Sequence, residues 1–237
     1  MLLAQGRTEF VLTLRNGEQV LLTLLIPLGL LIGLTILDVV PMPDPRVDSV
    51  TPRILALAVM STAFTGQAIA LGFDRRYGVL KRLAATALPR WSLVAGRMLA
   101  VLGVVAVQLM ILGVVAAVLG WRPEPAGIAF GVLLVLAGTA AFGALGVLLG
   151  GTLRAEVVLA VANMVWLALV VAGGIVLSVD TLPGPLSVLA AALPSGALAE
   201  GLHAALVTGA TPWGALGVLL AWTVGAGGLA ARTLRLS

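Results

Sequence analysis

"PAGIAFGVLLVLAGTAAFGALGVLLGGTL", residues 125–153, runs from Glu124 to Arg154 without one charged side chain. A bilayer's hydrocarbon core is about 30 Å thick and takes roughly 20 residues of helix to cross, so the stretch predicts a membrane-spanning helix. Its apolar residues keep to no single stripe, as expected of a helix that meets lipid or other helices on every side.

The rest of the chain belongs in the same solvent. Hydrophobic residues make up 60% and charged residues 10% of its 237 positions, with a mean hydropathy of +1.15; soluble domains carry about one-quarter charged residues. An all-α integral membrane protein follows. Further charge-free runs lie at Val20–Leu37, Ile54–Phe73, Met98–Trp121, Val157–Val179 and Trp213–Ala231, giving six spans near 20–40, 54–73, 98–121, 127–150, 157–179 and 212–231. The stretch 181–207 is apolar but holds Pro183, Pro185, Pro194 and Gly196, with Glu200 and His203 close behind. Interior prolines delete backbone hydrogen bonds that lipid cannot replace, so this stretch predicts a re-entrant or interfacial hairpin rather than a seventh span.

Six spans divide the basic residues unevenly. One side collects Arg7, Arg15, Arg75, Arg76, Lys81, Arg82, Arg90, Arg97, Arg154, Arg232 and Arg235, and the other only Arg46, Arg53 and Arg122. The positive-inside rule then places both termini in the cytoplasm. It also accounts for the net charge of +4 and the pI near 11.0 without a nucleic-acid partner. Residues 1–18 predict an interfacial helix, imperfectly amphipathic because Arg7 intrudes on the stripe of Leu3, Phe10 and Leu14.

The loop after the second span needs a further explanation. It extends over 74–96, whereas a plain helix–helix connection takes about 2 to 8 residues, and Val79, Leu80 and Leu83 set among Lys81 and Arg82 suit a short surface helix. Arg90 and Arg97 can equally anchor at lipid headgroups.

Several chemistries are excluded. The chain has no cysteine and one histidine, His203, so thiol catalysis and His-rich or thiolate metal sites are out. No catalytic constellation and no metal site is read. The six runs hold no ionisable residue of the kind a gradient-driven carrier uses. The only lysine, Lys81, sits in "VLKRLA" rather than in a phosphate-cradling G-x-x-x-x-G-K-[ST] loop, so the chain cannot hydrolyse ATP alone. Energy for uphill movement must come from a partner, and the basic loop is the natural place for it to arrive. Glycine spacings such as Gly29 with Gly33, Gly146 with Gly150, and Gly217, Ala221 with Gly225 suggest closely packed helices.

"RRYGVLKRLAATALPRWSLVAGRML", residues 75–99, resembles the signature of the membrane subunits of type-2 ATP-binding-cassette exporters, the permease class that includes daunorubicin-resistance-type drug exporters. Asp74 and Arg75 open it, and Gly78, Leu80, Lys81, Arg82, Leu83, Thr86, Gly96 and Arg97 follow in the family's order. The flanks are similar too: "RTEFVLTLRNGEQVLLTLLIPLGLLIG" with Pro27 looks like a connecting helix and first span, and "LPSGALAEGLHAAL" like the segment before the last span. The turn departs from the pattern, reading Thr86–Ala87–Leu88–Pro89 where the family commonly has proline directly after threonine.

The resemblance implies a coupling helix in the loop that docks into an ATPase subunit, with Asp74, Arg75, Arg76, Gly78, Lys81, Arg82 and Leu83 at or near the contact. It also implies that the second and fifth spans line a path between two protomers, making Met60, Phe64, Gln67, Asn163 and Trp166 candidates for cargo contact. The chain binds no cofactor in this reading; ATP and Mg belong to the partner. Two ATPase subunits, a second permease copy or paralogue, and membrane lipids are the expected partners. Cargo would be a lipophilic or amphipathic drug, antibiotic or lipid, exported by alternating access across the cell membrane. A non-transporting membrane scaffold is the competing class. Interhelical hydrogen bonding remains the commoner role for polar span residues such as Thr62, Thr65, Gln108 and Thr139.

Overall fold

The computed structural model describes residues 17–37, 42–79, 90–175 and 184–233. Among these every regular element is helical: α1 (Gly17–Ile36), α2 (Arg46–Met60), a π-helical turn (Ser61–Gly66), α3 (Gln67–Arg76), α4 (Arg90–Val118), α5 (Pro125–Thr152), α6 (Ala155–Ala172), α7 (Gly184–Ala192), α8 (Pro194–Thr208) and α9 (Trp213–Thr233). The expected interfacial helix over 1–18 lies almost wholly outside the described residues.

Among the described residues five helices are long and apolar enough to cross a membrane: Arg46–Arg76, Ala95–Val118, Pro125–Thr152, Ala155–Ala172 and Trp213–Thr233; the apolar part of α1, Thr23–Ile36, is shorter. The 31 residues of Arg46–Arg76 form the central column. Every residue from Thr51 to Met60 is buried, because α1, α4, α5 and α8 all pack around α2. Below the π-turn, α3 leans on α5 and α6.

Charge-free runs mark helix ends poorly in three places. The second helix begins at Arg46 rather than Ile54, since its two arginines find partners: Arg46 donates to the carbonyls of Leu34 (3.0 Å) and Leu37 (2.9 Å) at the open end of α1, and Arg53 pairs with Glu200. The third begins at Arg90 rather than Met98 and stops at Val118, short of Trp121, where Gly120 turns left-handed at φ +99. The fifth stops at Ala172 rather than Val179, before a left-handed Gly174. The reading that helix interiors hold no ionisable residue is corrected by Arg53, which lies seven positions inside a helix and is 4% exposed.

Neither α7, with 9 residues, nor α8, with 15, is long enough to cross a 30 Å core. They meet at Leu193, halfway along the bundle. Ser195 donates to the Leu169 carbonyl near the end of α6 (2.9 Å), Trp222 in mid-α9 donates to the Ala192 carbonyl (3.0 Å), and Leu198 lies over Gly138 in mid-α5. From there α8 runs antiparallel to α5 until the Glu124 amide reaches the Leu206 carbonyl (2.8 Å). Glycines at 127, 131 and 138 make room for Ala205, Leu206 and Leu198, so helix backbones approach closely. Because α7 and α8 enter and leave on one side, α9 runs parallel to α5, with Trp213 edge-on to Phe130 at 5.0 Å and Gly227 beside Ala144. Arg232 thereby ends α9 at the same end of the bundle as Arg75 and Arg154.

A candidate coupling site at the basic end of the bundle

The end of α3 carries Asp74, Arg75 and Arg76, and each engages a different neighbour. Arg97, one and a half to two turns into α4, places Nη1 2.7 Å from Asp74 Oδ2 and Nε 2.8 Å from Gln67 Oε1. Asp74 and Gln67 are seven residues apart, two helical turns, and so share a face. Arg75 turns toward the α5–α6 junction and donates to the carbonyls of Gly150 (3.1 Å) and Leu153 (3.2 Å). Those are carbonyls of a helix C-terminus, where a cation complements both the open acceptors and the dipole. Arg76 forms an ion pair with Glu156 in the first turn of α6 and lies 5.9 Å from the Tyr77 ring, which stacks on Phe73. Gly78 then turns the chain out of the helix at φ +68, a conformation that costs a Cβ-bearing residue about 1 kcal/mol or more.

Of the seven residues expected at an ATPase contact, Asp74, Arg75, Arg76 and Gly78 thus gather at one helix end, while Lys81, Arg82 and Leu83 lie outside the described residues. The structure adds Arg97, which anchors α4 to α3 instead of standing free for headgroups, and Glu156. Arg97 already stood in the loop signature, but without this role, and no motif pointed to Glu156; its only signal was an acid in the first turn of a helix.

The five candidates for cargo contact separate. Met60 and Phe64 are enclosed in the core, Phe64 against Gly146, and Gln67 is occupied by Arg97. Trp166 is half-buried and donates from Nε1 to Ser61 Oγ in the π-turn (3.0 Å). Asn163 is exposed at mid-helix, its amide donating to the Leu159 carbonyl one turn back (2.8 Å). Higher in the bundle, Gln108 joins Thr62 of the π-turn to the Thr23 carbonyl of α1. No cluster of three or more metal-ligating side chains occurs among the described residues.

A bundle of apolar helices with a half-depth hairpin, and a basic end where three helices lock onto the one that leads into the loop, fits a permease. The sequence matches the family model of ABC-2 type transporters over residues 2–207. The chain belongs to the ABC-2 type transporter family. No curated protein sequence matches it. The matched region of this ABC-2 permease takes in the entire basic loop and ends in the last turn of α8. The protein is therefore a multi-pass membrane subunit of an ABC transporter, a class powered by an ABC ATPase partner.

Proposed function

We propose that this permease exports a lipophilic or amphipathic compound, in the manner of daunorubicin-resistance-type exporters, driven by two separate ATPase chains that hold ATP and Mg and dock on residues 74–96 from the cytoplasm. The observation that carries the reading is the convergence at Asp74–Arg76: one helix end, at the mouth of the basic loop, is bonded to α4, α5 and α6 together. A push on the loop reaches three helices at once. Lys81 and Arg82 are the cations offered to acidic groups of the ATPase. Both termini are cytoplasmic in this reading, and α7–α8 re-enter from the opposite face.

A second permease copy completes the path against α6. An amide such as Asn163, exposed midway along an otherwise apolar helix, is poorly placed against hydrocarbon and better placed against another protomer or polar parts of a cargo. Trp166 lies one turn further along, at the edge of the same face. Cargo meets this α6 face rather than the enclosed Met60 and Phe64.

The test is co-expression with candidate ABC ATPases encoded beside it, purification of the complex, and ATP hydrolysis by wild type and the Lys81→Ala/Arg82→Ala variant. Expected is a stable complex whose ATPase is lost or uncoupled in the double variant. Failure of any ATPase to associate, or hydrolysis indifferent to the loop, overturns the proposal in favour of a scaffold.

A further inference from the structure

We infer that Arg97 is a positioning residue for energy coupling: its forked contact with Asp74 and Gln67 makes the two stems of the basic loop move as one body. This rests on the reading that the loop receives the ATPase, but Arg97 and Gln67 lie outside the proposed docking contact, whose edge Asp74 marks.

The two stems are α3, which leads into the loop, and α4, which leaves it. Higher in the bundle, α2 and the π-turn pack directly against α4. Toward the basic end α3 instead leans on α5 and α6 and lacks comparable backbone packing with α4. Arg97 spans that divergence. One guanidinium holds two acceptors seven residues apart on α3, Asp74 at 2.7 Å and Gln67 at 2.8 Å, through different nitrogens. The ion pair links positions 23 residues apart in sequence and so closes the base of the loop. Fixing two acceptors with one planar fork is something arginine does and lysine cannot. The Arg97 and Asp74 side chains are 20% and 33% exposed, so the tie is partly desolvated and stronger than a surface pair, yet remains breakable.

The opposite side of the same helix end is fastened separately, by Arg75 to Gly150 and Leu153 and by Arg76 to Glu156. With Arg97 in place, displacement of the loop carries α3 and α4 together and, through Arg75 and Arg76, the α5–α6 junction. Without it, α4 yields alone while α3 stays fastened to α5 and α6. ATP would still be hydrolysed, but the movement would not reach the far end of the bundle.

The absence of cysteine allows a clean reporter. Ala210→Cys places a single thiol in the exposed connection between α8 and α9, at the end opposite Arg97. In the full permease–ATPase complex in liposomes, labelling by a membrane-impermeant maleimide is compared with and without ATP and vanadate, alongside ATP hydrolysis and co-purification. In the otherwise wild-type chain the nucleotide changes the labelling rate. Arg97→Gln is expected to reduce that nucleotide-dependent change by about tenfold, the order expected for losing a charge-assisted hydrogen bond from a two-state equilibrium, while hydrolysis and assembly persist. Arg97→Lys, which keeps the charge but loses the fork, falls between. The exchange Asp74→Arg/Arg97→Asp recovers part of the change, which a merely space-filling role would not. A full nucleotide response in Arg97→Gln overturns the inference. So does loss of assembly in both Arg97→Gln and Arg97→Lys, which would make the residue structural. If the wild-type complex itself shows no response or no ATPase association, the exporter reading falls, and this inference with it.

Discussion

The side-chain amide of Gln108 donates to the main-chain carbonyl of Thr23 at 2.6 Å, and Thr23 is the residue whose carbonyl Pro27 leaves open. In a helix that carbonyl would accept from the amide four residues on, and proline has none. Within a membrane, water cannot substitute. Gln108, 4% exposed, supplies the missing donor from α4 and accepts from Thr62 Oγ1 at 2.8 Å, so one side chain joins α1, α4 and the π-turn. Gln108→Leu is expected to cost about 1–2 kcal/mol in a detergent unfolding titration. The diagnostic is rescue: in a Pro27→Ala background, where the backbone amide returns, the same change should cost clearly less. Equal costs in both backgrounds would refute the account of Pro27.

Arg53 and Glu200 make a second tie, between α2 and α8. Their charged atoms are 3.7 Å apart, and the Arg53 side chain is only 5% exposed. Glu200 is 31% exposed, so the pair is half-buried; taking this partner from the buried Arg53 charge costs about 1–3 kcal/mol, whereas replacing both with apolar residues of similar size is often nearly neutral. Glu200→Ala should therefore destabilise far more than Arg53→Met/Glu200→Leu. Additive losses in the double-mutant cycle would show that the pair is not coupled.

The number and order of the helices could be read from runs of uncharged residues, because a bilayer demands length and apolarity and little else. Their ends could not. Arg46, Arg53 and Arg97 interrupt hydropathy, yet Arg46 opens a helix and Arg53 and Arg97 sit inside one, each with a specific acceptor elsewhere in the chain. Such pairings cross 9 to 147 positions of sequence and leave no local signal. The basic loop was legible as a site; that Asp74, Arg75 and Arg76 grip three separate helices was not. The polar span residues carried the same ambiguity: Gln67 serves Arg97, Gln108 serves Thr23 and Thr62, and only Asn163 remains exposed.

Glycine spacing was a weaker guide than glycine surroundings. A Cβ at Gly146 would lie 2.8 Å from the Phe64 carbonyl and 3.0 Å from Gln67 Cβ, and one at Gly127 would run into the Ala205 carbonyl, whereas Gly29, Gly33, Gly217 and Gly225 have nothing within 4 Å among the described residues. Gly127→Ala and Gly146→Ala must push helix backbones apart and should lower thermal stability in detergent by several degrees, in line with about 1–3 kcal/mol of overpacking. Gly29→Ala should be neutral or slightly stabilising, since it gains helix propensity without a clash. A large loss at Gly29 would reveal a neighbour beyond the described residues, such as a second copy.

The π-turn Ser61–Gly66 sets which faces α2 and α3 present. Its i→i+5 bonds accommodate one residue more than an α-helix would over the same stretch, keeping the helices on either side in phase. Deleting Thr65, whose hydroxyl is buried without a hydrogen bond, should let the turn relax to α-helix and leave Gln67 and Asp74 still facing Arg97. Deleting Ala56, in the regular part of α2, offers no such slack. Everything downstream would rotate by about 100° and lose Arg97, Gly150 and Glu156 together. Expression and monodispersity in detergent should therefore survive the first deletion and collapse in the second. If both deletions are equally damaging, the extra residue is not what the π-turn absorbs, and the phase of α3 must be held by its contacts with α5 and α6 alone.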